Sequence, residues 1–294
     1  MHSDMNVKNW IDCWKSSRGT PDPMSRLGSV DLWNERADNF AKVLDPKKRQ
    51  KRMDEIFSLL DEVGFRAEGS RVLDIGCGPG AISIPLARAG AEVTSLDISY
   101  KALEYLKDNA ECEGLSIEPI EASWWTADID ELGLRNKFDL VVVSATPSVK
   151  DLETFERMIA CSRKFCYYSH FLPGGRGQVN DEGLRKILEK ESPRPSRGSM
   201  SGFMYNFMYL YLNGYRPIVR VNHNKRETAV GWEEAADRTI KSLERRGECT
   251  AATEKKVRDY YKAAAVDGKY HSVSEGYSGM MVWNVNIEEQ AKGS

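Results

Sequence analysis

The chain has 294 residues, of which 41% are hydrophobic and 29% charged, and its formal net charge is −2. This balance is typical of a soluble globular protein, and its apolar runs are far shorter than the roughly 20 residues that cross a bilayer. A nearly neutral chain lacks the basic field that holds nucleic acid, so we expect neither a nucleic-acid nor a membrane partner. The densest basic run, residues 47–52, is interpreted as the solvated face of a helix, with a contact to RNA as the alternative. Residues 1–10 lack a secretory pattern, so a cytoplasmic location is expected.

The six cysteines form neither a CxxC pair nor a spacing typical of zinc ligands. Cys161, Cys166 and His170 are close in sequence, but they fall on a predicted helix end and the strand after it. A metal site needs its ligands to converge on one point, and this arrangement does not favour convergence. We therefore expect reduced thiols and no bound metal.

The N-terminal part of the chain, residues 1–44, is predicted to be a helical extension of the main domain. Five apolar residues recur there at helical spacing: Leu32, Trp33, Ala37, Phe40 and Ala41. Asp45 and Pro46 are typical of the start of a new helix, and Gly64 is typical of its end. Residues 45–287 are predicted to form the main domain, and residues 288–294 a tail.

From Arg71 onward the pattern changes to strands that alternate with helices. Strands are predicted at residues 72–75, 92–96, 117–120, 138–143 and 165–171. Helices are predicted between them, at residues 80–89, after Ser99 and after Asp151. This alternation implies an α/β fold with a parallel sheet, right-handed crossovers and helices on both faces.

After Pro173 the alternation breaks down, and two insertions are predicted, at about residues 174–215 and 225–278. Helices are expected within them at residues 184–188, 203–212, 232–245 and 253–264. Residues 203–212 also alternate as a strand would, but Gly214 is typical of a helix C-terminus and favours a helix. Two further strands, at residues 217–222 and 280–285, bring the predicted sheet to seven strands.

The motif that carries the chemistry follows the first strand and reads Leu73-Asp74-Ile75-Gly76-Cys77-Gly78-Pro79-Gly80. Glycines let the backbone turn tightly and let a ligand approach where a side chain would block it. The turn lies at the carboxyl end of a strand, which is the edge where open parallel sheets bind ligands. The spacing is GxGxG, which departs from the GxGxxG of loops that bind a dinucleotide pyrophosphate.

The loop and the alternation together resemble motif I of the class I methyltransferases that depend on S-adenosylmethionine (SAM), commonly written DxGxGxG. The resemblance covers about residues 50–170. It implies a Rossmann-like, mostly parallel seven-stranded sheet, SAM as the cofactor and S-adenosylhomocysteine (SAH) as its product. SAM carries an ammonium group and no phosphate, so the acidic residue beside the loop favours SAM over NAD. The residues expected to bind SAM here are Asp74, Gly76, Cys77, Gly78 and Gly80.

Asp97 supports this interpretation, because it ends the second strand, 23 residues after Asp74. An acidic residue about 20 residues beyond a glycine loop typically accepts hydrogen bonds from ribose hydroxyls. The alternative is a carboxylate that only stabilises the start of the helix after Ser99. Ile98 is expected to cover one face of the adenine.

The adenine side of the expected site departs from the family pattern. The family often has an acidic residue after the third strand, whereas this chain has Ala122 and Ser123. The Ser123 hydroxyl can accept a hydrogen bond in its place. The following Trp124 is expected either to stack on the purine or to pack in the core.

The methyl side of the site is expected after the fourth strand, at residues 144–148, which read SATPS. Methyltransferases that act on the amino groups of bases or glutamine often have (D/N)PP(Y/F) here. This sequence therefore argues against N-methylation of nucleic acids and leaves O-, S-, N- and C-methylation of small molecules open. Ser144 is expected to contact the cofactor and Thr146 the substrate. A base is needed only if the acceptor atom is protonated. His170 and then His223, each near a strand end, are the candidates, with structural or surface roles as the alternative.

A lid over the substrate is expected from the helical extension, where Trp33 and Phe40 share one face, and from the two insertions. The function expected from the sequence is methyl transfer from SAM to a small molecule. An RNA or protein methyltransferase, which would need a basic groove beside Ser144, stays open, as does a noncatalytic SAM-binding regulator. Neither the acceptor atom nor the oligomeric state follows from the sequence.

Overall fold

The computed structural model describes residues 2–16, 25–42, 46–172, 178–179, 182–189, 202–244 and 247–287. The chain divides into two compact units. Unit 1 consists of Met1–His170, Ser201–Arg220 and Gly279–Ser294, and unit 2 of Phe171–Met200 and Val221–Ser278. In the described ranges, no helix combines the length and the apolarity needed to cross a bilayer.

Apart from one additional short strand, β6, the order of helices and strands along the chain is the one that the sequence predicts. The helices are α1 (His2–Ser16), α2 (Val30–Lys42), α3 (Pro46–Glu62), α4 (Ser83–Arg88), α5 (Tyr100–Cys112), α6 (Leu152–Cys161), α7 (Glu182–Glu189), α8 (Gly202–Leu212), α9 (Trp232–Glu244) and α10 (Ala251–Ala264). A short 3-10 helix, Ser25–Gly28, precedes α2. The strands are β1 (Arg71–Ile75), β2 (Glu92–Asp97), β3 (Ile117–Glu121), β4 (Phe138–Ser144), β5 (Ser162–Phe171), β6 (Gln178–Val179), β7 (Ile218–Gly231) and β8 (Lys269–Asn284).

The sheet of unit 1 has β1 near its middle. Its order is β3-β2-β1-β4-β5, and β8 lies beside β5. The four neighbouring pairs from β3 to β5 are parallel. Because Ile75 is aligned with Leu96 on one side and Val143 on the other, β1, β2 and β4 end at the same edge. The residues that follow these three strands therefore share the carboxyl edge of the sheet.

One face of this sheet is covered by α3. Its residues Ile56, Leu59 and Leu60 are at most 1% exposed. They belong to one apolar cluster with strand residues such as Val72 and Leu140. The apolar positions of α3 recur at helical spacing, so burying this single face stabilises both the helix and the sheet.

The opposite face of the sheet is covered by aromatic side chains. Phe155 of α6 is fully buried, and its ring lies edge-on to the rings of Trp14 and Tyr168. Trp14 in turn stacks on Tyr205 of α8, with ring centroids 5.7 Å apart. The first helix of the N-terminal extension is therefore part of the core of unit 1.

Unit 2 combines a β-ribbon with helices. Within it, β6 pairs with β8 in antiparallel register, and β7 pairs with β8 on the other side. The helices α9 and α10 pack through Ala236, Leu243 and Val257. Leu184 and Leu188 of α7 are partly buried against the same cluster, so the three helices share one small core.

The predicted α/β fold is confirmed, although the described part of the chain contains eight strands where the sequence predicts seven. The additional strand is the short β6. The strands β7 and β8 are also much longer than predicted, because their polar segments pair with each other. The hydroxyls of Thr228 and Ser272, for example, are hydrogen-bonded at 2.7 Å. Such a ribbon needs backbone pairing and no apolar run, so hydrophobicity does not reveal its length.

Two helix boundaries depend on glycines with positive φ. The helix α4 begins at Ser83 rather than at Gly80, since Gly80 has a φ of +90°, outside the helical range. The predicted helix at residues 203–212 is confirmed as α8, and Gly214 after it has a φ of +91°. The predicted N-cap Asp45, the predicted tail and residues 174–177, 180–181 and 190–201 of the first insertion lie outside the described residues.

Candidate functional site

The glycine loop starts where β1 ends. Its glycines all have positive φ: +69° at Gly76, +55° at Gly78 and +90° at Gly80. The amides of Gly76 and Cys77 donate to the Leu96 carbonyl of β2, at 2.7 and 3.2 Å. The loop is therefore fastened to the neighbouring strand as it turns.

Each of these glycines has different surroundings. A Cβ at Gly76 would lie 2.5 Å from Oγ1 of Thr146, and a Cβ at Gly80 would collide with Leu106 of α5. At Gly78, apart from the adjacent residues Cys77 and Pro79, no atom of the described residues lies within 4 Å of the Cβ position. Gly76 and Gly80 are thus needed for close packing, whereas Gly78 faces open space into which a ligand can approach the backbone.

Asp74 lies inside the domain and is only 2% exposed. The Ser83 hydroxyl donates to its Oδ2 at 2.6 Å, and the Ser95 hydroxyl donates to that of Ser83 at 2.8 Å. Burial raises the pKa of Asp74 to about 6, although the Ser83 hydrogen bond opposes the shift. These contacts link β1 to α4 and β2, and a contact of Asp74 with the SAM ammonium stays a prediction.

Asp97 ends β2 directly beside the loop. Its Oδ2 accepts from the Gly78 amide at 2.8 Å, and its Oδ1 accepts from the Ser99 amide at 2.9 Å. Burial raises the pKa of this carboxyl group. Each carboxylate oxygen can accept a second hydrogen bond, so both can also accept from ribose hydroxyls. Ile98, expected at the adenine, is half-buried. In the chain it stands between Asp97 and Ser99, the residue that caps α5.

The loop after β3 carries the residues expected at the adenine. The Ala122 amide donates to the Asp97 carbonyl at 3.0 Å, so this loop adjoins the end of β2. Ser123 is half-buried. Trp124 is 3% exposed, and its Nε1 donates to the Thr154 carbonyl at 3.1 Å. The burial of Trp124 corresponds to the packing role that the sequence left open beside stacking.

Ser144 ends β4 in a cluster of hydroxyl groups with one cation. Its Oγ is hydrogen-bonded to that of Ser169 at 2.8 Å and accepts from Nη2 of Arg52 at 2.7 Å. Arg52 thus brings a positive charge to the carboxyl edge of the sheet. The sequence does not reveal this role, because a basic run at the start of a helix is typical of a solvated face.

The segment after Ser144 packs closely against the glycine loop. The hydroxyls of Thr146 and Ser148 are hydrogen-bonded at 2.9 Å, and both lie within 3 Å of the Cβ position of Gly76. Ala145 has a φ of +54°, a conformation that costs energy for alanine. Its amide donates to the Ser169 carbonyl at 2.9 Å, which helps to hold this conformation.

Residues 25–42 reach the same edge through α2 and α5. The Ser99 hydroxyl donates to Oδ1 of Asn34 at 2.7 Å. Asp38 accepts from Nζ of Lys101 at 2.9 Å and from the Tyr105 hydroxyl at 2.7 Å. The residue that caps α5, Ser99, is therefore bonded both to the extension and to Asp97.

The two residues predicted to form the lid share one face of α2. The rings of Trp33 and Phe40 stack with centroids 6.4 Å apart. Nε1 of Trp33 donates to the Leu27 carbonyl at 2.7 Å, whereas Phe40 is 48% exposed. Their role at a substrate stays a prediction.

The two candidate bases lie in different units. His170 is the last residue of the first segment of unit 1, and its ring stacks on Tyr168 with centroids 6.2 Å apart. His223 belongs to unit 2, stacks on Tyr277 at 4.7 Å and lies 3.8 Å from the Glu275 carboxylate. The prediction that His223 ends a strand is wrong, because β7 continues to Gly231 through its pairing with β8.

A comparison with known protein families identifies the part of the chain that carries this site. Residues 72–164, from β1 to the start of β5, match the family model described as "Methyltransferase domain". This segment is a methyltransferase domain. The predicted resemblance to class I methyltransferases is confirmed, and SAM with its product SAH is the cofactor of this class.

Relatives of the methyltransferase domain include enzymes with different substrates. A ubiquinone biosynthesis O-methyltransferase of Rhizobium leguminosarum bv. trifolii is 30% identical over 155 residues, which are 51% of this chain and 52% of the relative. A ribosomal RNA small subunit methyltransferase G of Serratia proteamaculans is 31% identical over 131 residues, 43% of this chain and 58% of the relative. The chain thus spans little more than half of the length of these two relatives.

Among solved structures, magnesium protoporphyrin IX methyltransferase from Synechocystis PCC 6803, with bound SAH, aligns with a TM-score of 0.42. It is 15% identical, and the alignment covers 93% of this chain and 96% of that one.

The residues at the carboxyl edge of the sheet have the chemistry that SAM would need. Gly78 leaves open space beside the backbone, and Asp97 offers acceptors for ribose hydroxyls. Arg52 supplies a cation for a carboxylate. The site therefore contains partners for both the nucleoside and the amino-acid part of the cofactor.

We expect Asp97→Ala to weaken SAH binding by roughly 2–4 kcal/mol, because the variant loses two charge-assisted hydrogen bonds to ribose. Asp97→Asn should have a smaller effect, since the amide keeps one acceptor. Isothermal titration calorimetry measures both. Asp128→Ala is a matched control, because Asp128 also accepts from two backbone amides, those of Asp130 and Glu131, and neither belongs to the glycine loop. Equal affinities in the wild type and Asp97→Ala would contradict the ribose role.

The raised pKa of Asp74 predicts a pH-dependent difference between the wild type and Asp74→Asn. A carboxyl group whose folded pKa exceeds its usual value of 3.8 stabilises the fold most below that value. Its contribution is lost as the pH rises through about 6. The side-chain amide that Asp74→Asn introduces can still accept from Ser83 through its carbonyl oxygen, and it does not titrate. The free energy of unfolding of the variant minus that of the wild type should therefore rise by up to about 3 kcal/mol between about pH 4 and about pH 8. Urea unfolding at both pH values tests this, and a constant difference would contradict it.

Proposed function

We propose that the protein is an enzyme that transfers a methyl group from SAM to a small-molecule acceptor. The observation that carries the proposal is the open space at Gly78 directly beside the Asp97 carboxylate. This pairing offers backbone contacts and ribose acceptors at the carboxyl end of β1 and β2. A phosphate is not needed to explain either feature.

The cofactor would lie along the carboxyl edge of β1, β2 and β4. Asp97 would accept from the ribose hydroxyls, and Ile98 with Ser123 would border the adenine. Arg52 would pair with the carboxylate and exchange its present bond to Ser144 for that stronger, charge-assisted one. When bound, SAM supplies the methyl group from its sulfonium.

The chain's own residues mainly orient the reactants and exclude water. The positive charge on sulfur disappears during transfer, so an apolar, closed environment favours the reaction. Thr146 and Ser148 would border the acceptor, because they lie against Gly76 at the end of β1. For a protonated acceptor, His170 would hold the released proton. It follows Ser169 of the hydroxyl cluster, while His223 belongs to the other unit.

The segment of residues 25–42 would close the site as a lid. Asn34 and Asp38 fasten α2 to the beginning of α5, immediately after Asp97. Trp33 and the exposed Phe40 would supply the apolar face toward the acceptor. In contrast to this segment, α1 is bound into the aromatic core, so only the second half of the extension would move.

A small-molecule acceptor is favoured by the net charge of −2 and by the absence of a (D/N)PP(Y/F) motif. The likeness to an O-methyltransferase of ubiquinone biosynthesis supports the same class of acceptor. Methylation of RNA is the second candidate, because another relative is a ribosomal RNA methyltransferase.

Binding and transfer assays test the proposed function. SAM and SAH should bind with micromolar affinity, about −8 kcal/mol, and NAD should not bind. Label from [methyl-³H]SAM should enter compounds of a hydroxyl, amine and thiol panel but not purified ribosomal RNA. Asp97→Ala controls for transfer by contaminants. Tighter binding of NAD than of SAM would overturn the cofactor, and label found in RNA alone would establish the second candidate.

The lid can be tested without knowing the acceptor. Asp38→Ala removes the contacts of α2 with Lys101 and Tyr105, so bound SAH should dissociate faster, by a factor of about five at most for such exposed contacts. Glu35→Ala is the matched control, because it changes an exposed acid on the same helix. Stopped-flow displacement of SAH gives the rates. The same rate in the wild type and Asp38→Ala would contradict a lid held by this contact.

A further inference from the structure

Two adjacent tryptophans after β3 have different partners. Trp124 is buried and donates to the Thr154 carbonyl of α6. The Arg157 guanidinium donates to the Trp124 carbonyl, which fixes the loop further. Trp125 is half-buried and contacts other segments of unit 1. The rigid loop therefore presents Trp125 at the carboxyl edge of the sheet.

The first partner of Trp125 is the segment after β4. Its Nε1 donates to the Pro147 carbonyl at 3.1 Å, and Nζ of Lys150 lies 4.7 Å from its ring centroid. Pro147 stands between Thr146 and Ser148, the two residues whose hydroxyls lie against Gly76. A shift of Trp125 would therefore be passed through residues 146–148 to the start of the glycine loop.

The second partner of Trp125 is Gly28, in the 3-10 helix before α2. A Cβ at Gly28 would lie 2.8 Å from Cζ3 and 3.1 Å from Cε3 of the indole ring. The backbone of Gly28 thus lies directly on the ring, at a distance that only glycine permits. Because Gly28 does not have a positive φ, this close approach and not backbone conformation accounts for the residue type.

The segment that contains Gly28 also reaches the other side of the proposed cofactor site. Asn34 accepts from the Ser99 hydroxyl, and the Ser99 amide donates to Asp97. Residues 25–42 are thus connected to the ribose side through Ser99 and to the methyl side through Trp125. A bound cofactor would lie between these two connections.

We propose that Trp125 is a positioning residue that couples the docking of residues 25–42 to the segment at residues 144–148. This inference rests on the proposed function, because the coupled quantity is the occupancy of the cofactor site. In this arrangement a bound cofactor stabilises the docked segment through Trp125. The docked segment in turn strengthens cofactor binding by the same factor, as linkage requires.

Hydrogen–deuterium exchange of the full-length protein, with and without SAH, tests the coupling. In the wild type, SAH should slow exchange in peptides from residues 25–42. Trp125→Phe removes the indole N–H and the outer ring atoms that touch Gly28. It should reduce the SAH-induced slowing and the SAH affinity by about fivefold, the factor typical of one neutral hydrogen bond. Gly28→Ala should act in the same direction, because its methyl group displaces the ring.

Trp10→Phe is the matched control, since Nε1 of Trp10 also donates to a carbonyl, that of Tyr205, at 3.1 Å but away from the loop. It should leave the SAH-induced slowing as in the wild type. If Trp125 has only a structural role, Trp125→Phe should change the exchange of residues 25–42 by the same factor with and without SAH. This result would overturn the proposal. If Trp125→Phe does not fold, Gly28→Ala decides, and a wild-type response in that variant also overturns the proposal. A wild type that does not bind SAH would instead refute the proposed function.

Discussion

The hydrogen bond from the Gly78 amide to the Asp97 carboxylate, 2.8 Å long, joins the ends of the two strands on which the proposed cofactor site is built. It forms because Gly78 takes a positive φ and because the parallel register brings β1 and β2 to the same edge. The acceptors for ribose and the exposed backbone are thereby placed side by side. A charge-assisted bond of this kind orders the loop before a ligand arrives, which lowers the entropic cost of binding.

The loop also depends on polar groups inside the domain. Asp74 is buried and bonded to Ser83, which is bonded to Ser95, so one carboxylate links β1 with α4 and β2. Burial raises its pKa to about 6, which means that ionisation at neutral pH costs stability. Perturbed groups of this kind are frequent at functional sites, where position outweighs stability. Arg52 acts on the same site from α3 and partly offsets the cost, because its positive charge lowers the pKa of Asp74.

The N-terminal extension has two parts, and each packs around a different tryptophan. Trp14 of α1 is stacked in the aromatic core, whereas Gly28 lies on Trp125 at the edge of the sheet. From the sequence alone, the whole of residues 1–44 is expected to contribute to the lid. The packing of Trp14 supports a narrower assignment, in which only residues 25–42 close over the site.

Three features follow from the sequence without a structure: the alternation of strands and helices, the position of the glycine loop and the family of the domain. Local rules suffice there, because the periodicity of apolar residues and the spacing of glycines can be read directly from neighbouring residues. Which distant residues meet at the carboxyl edge depends on the tertiary structure. Arg52 reaches Ser144 across 92 positions, and Gly28 meets Trp125 across nearly 100. The lengths of the polar strands β7 and β8 also depend on the tertiary structure, since pairing between backbones leaves no hydrophobic pattern in either strand.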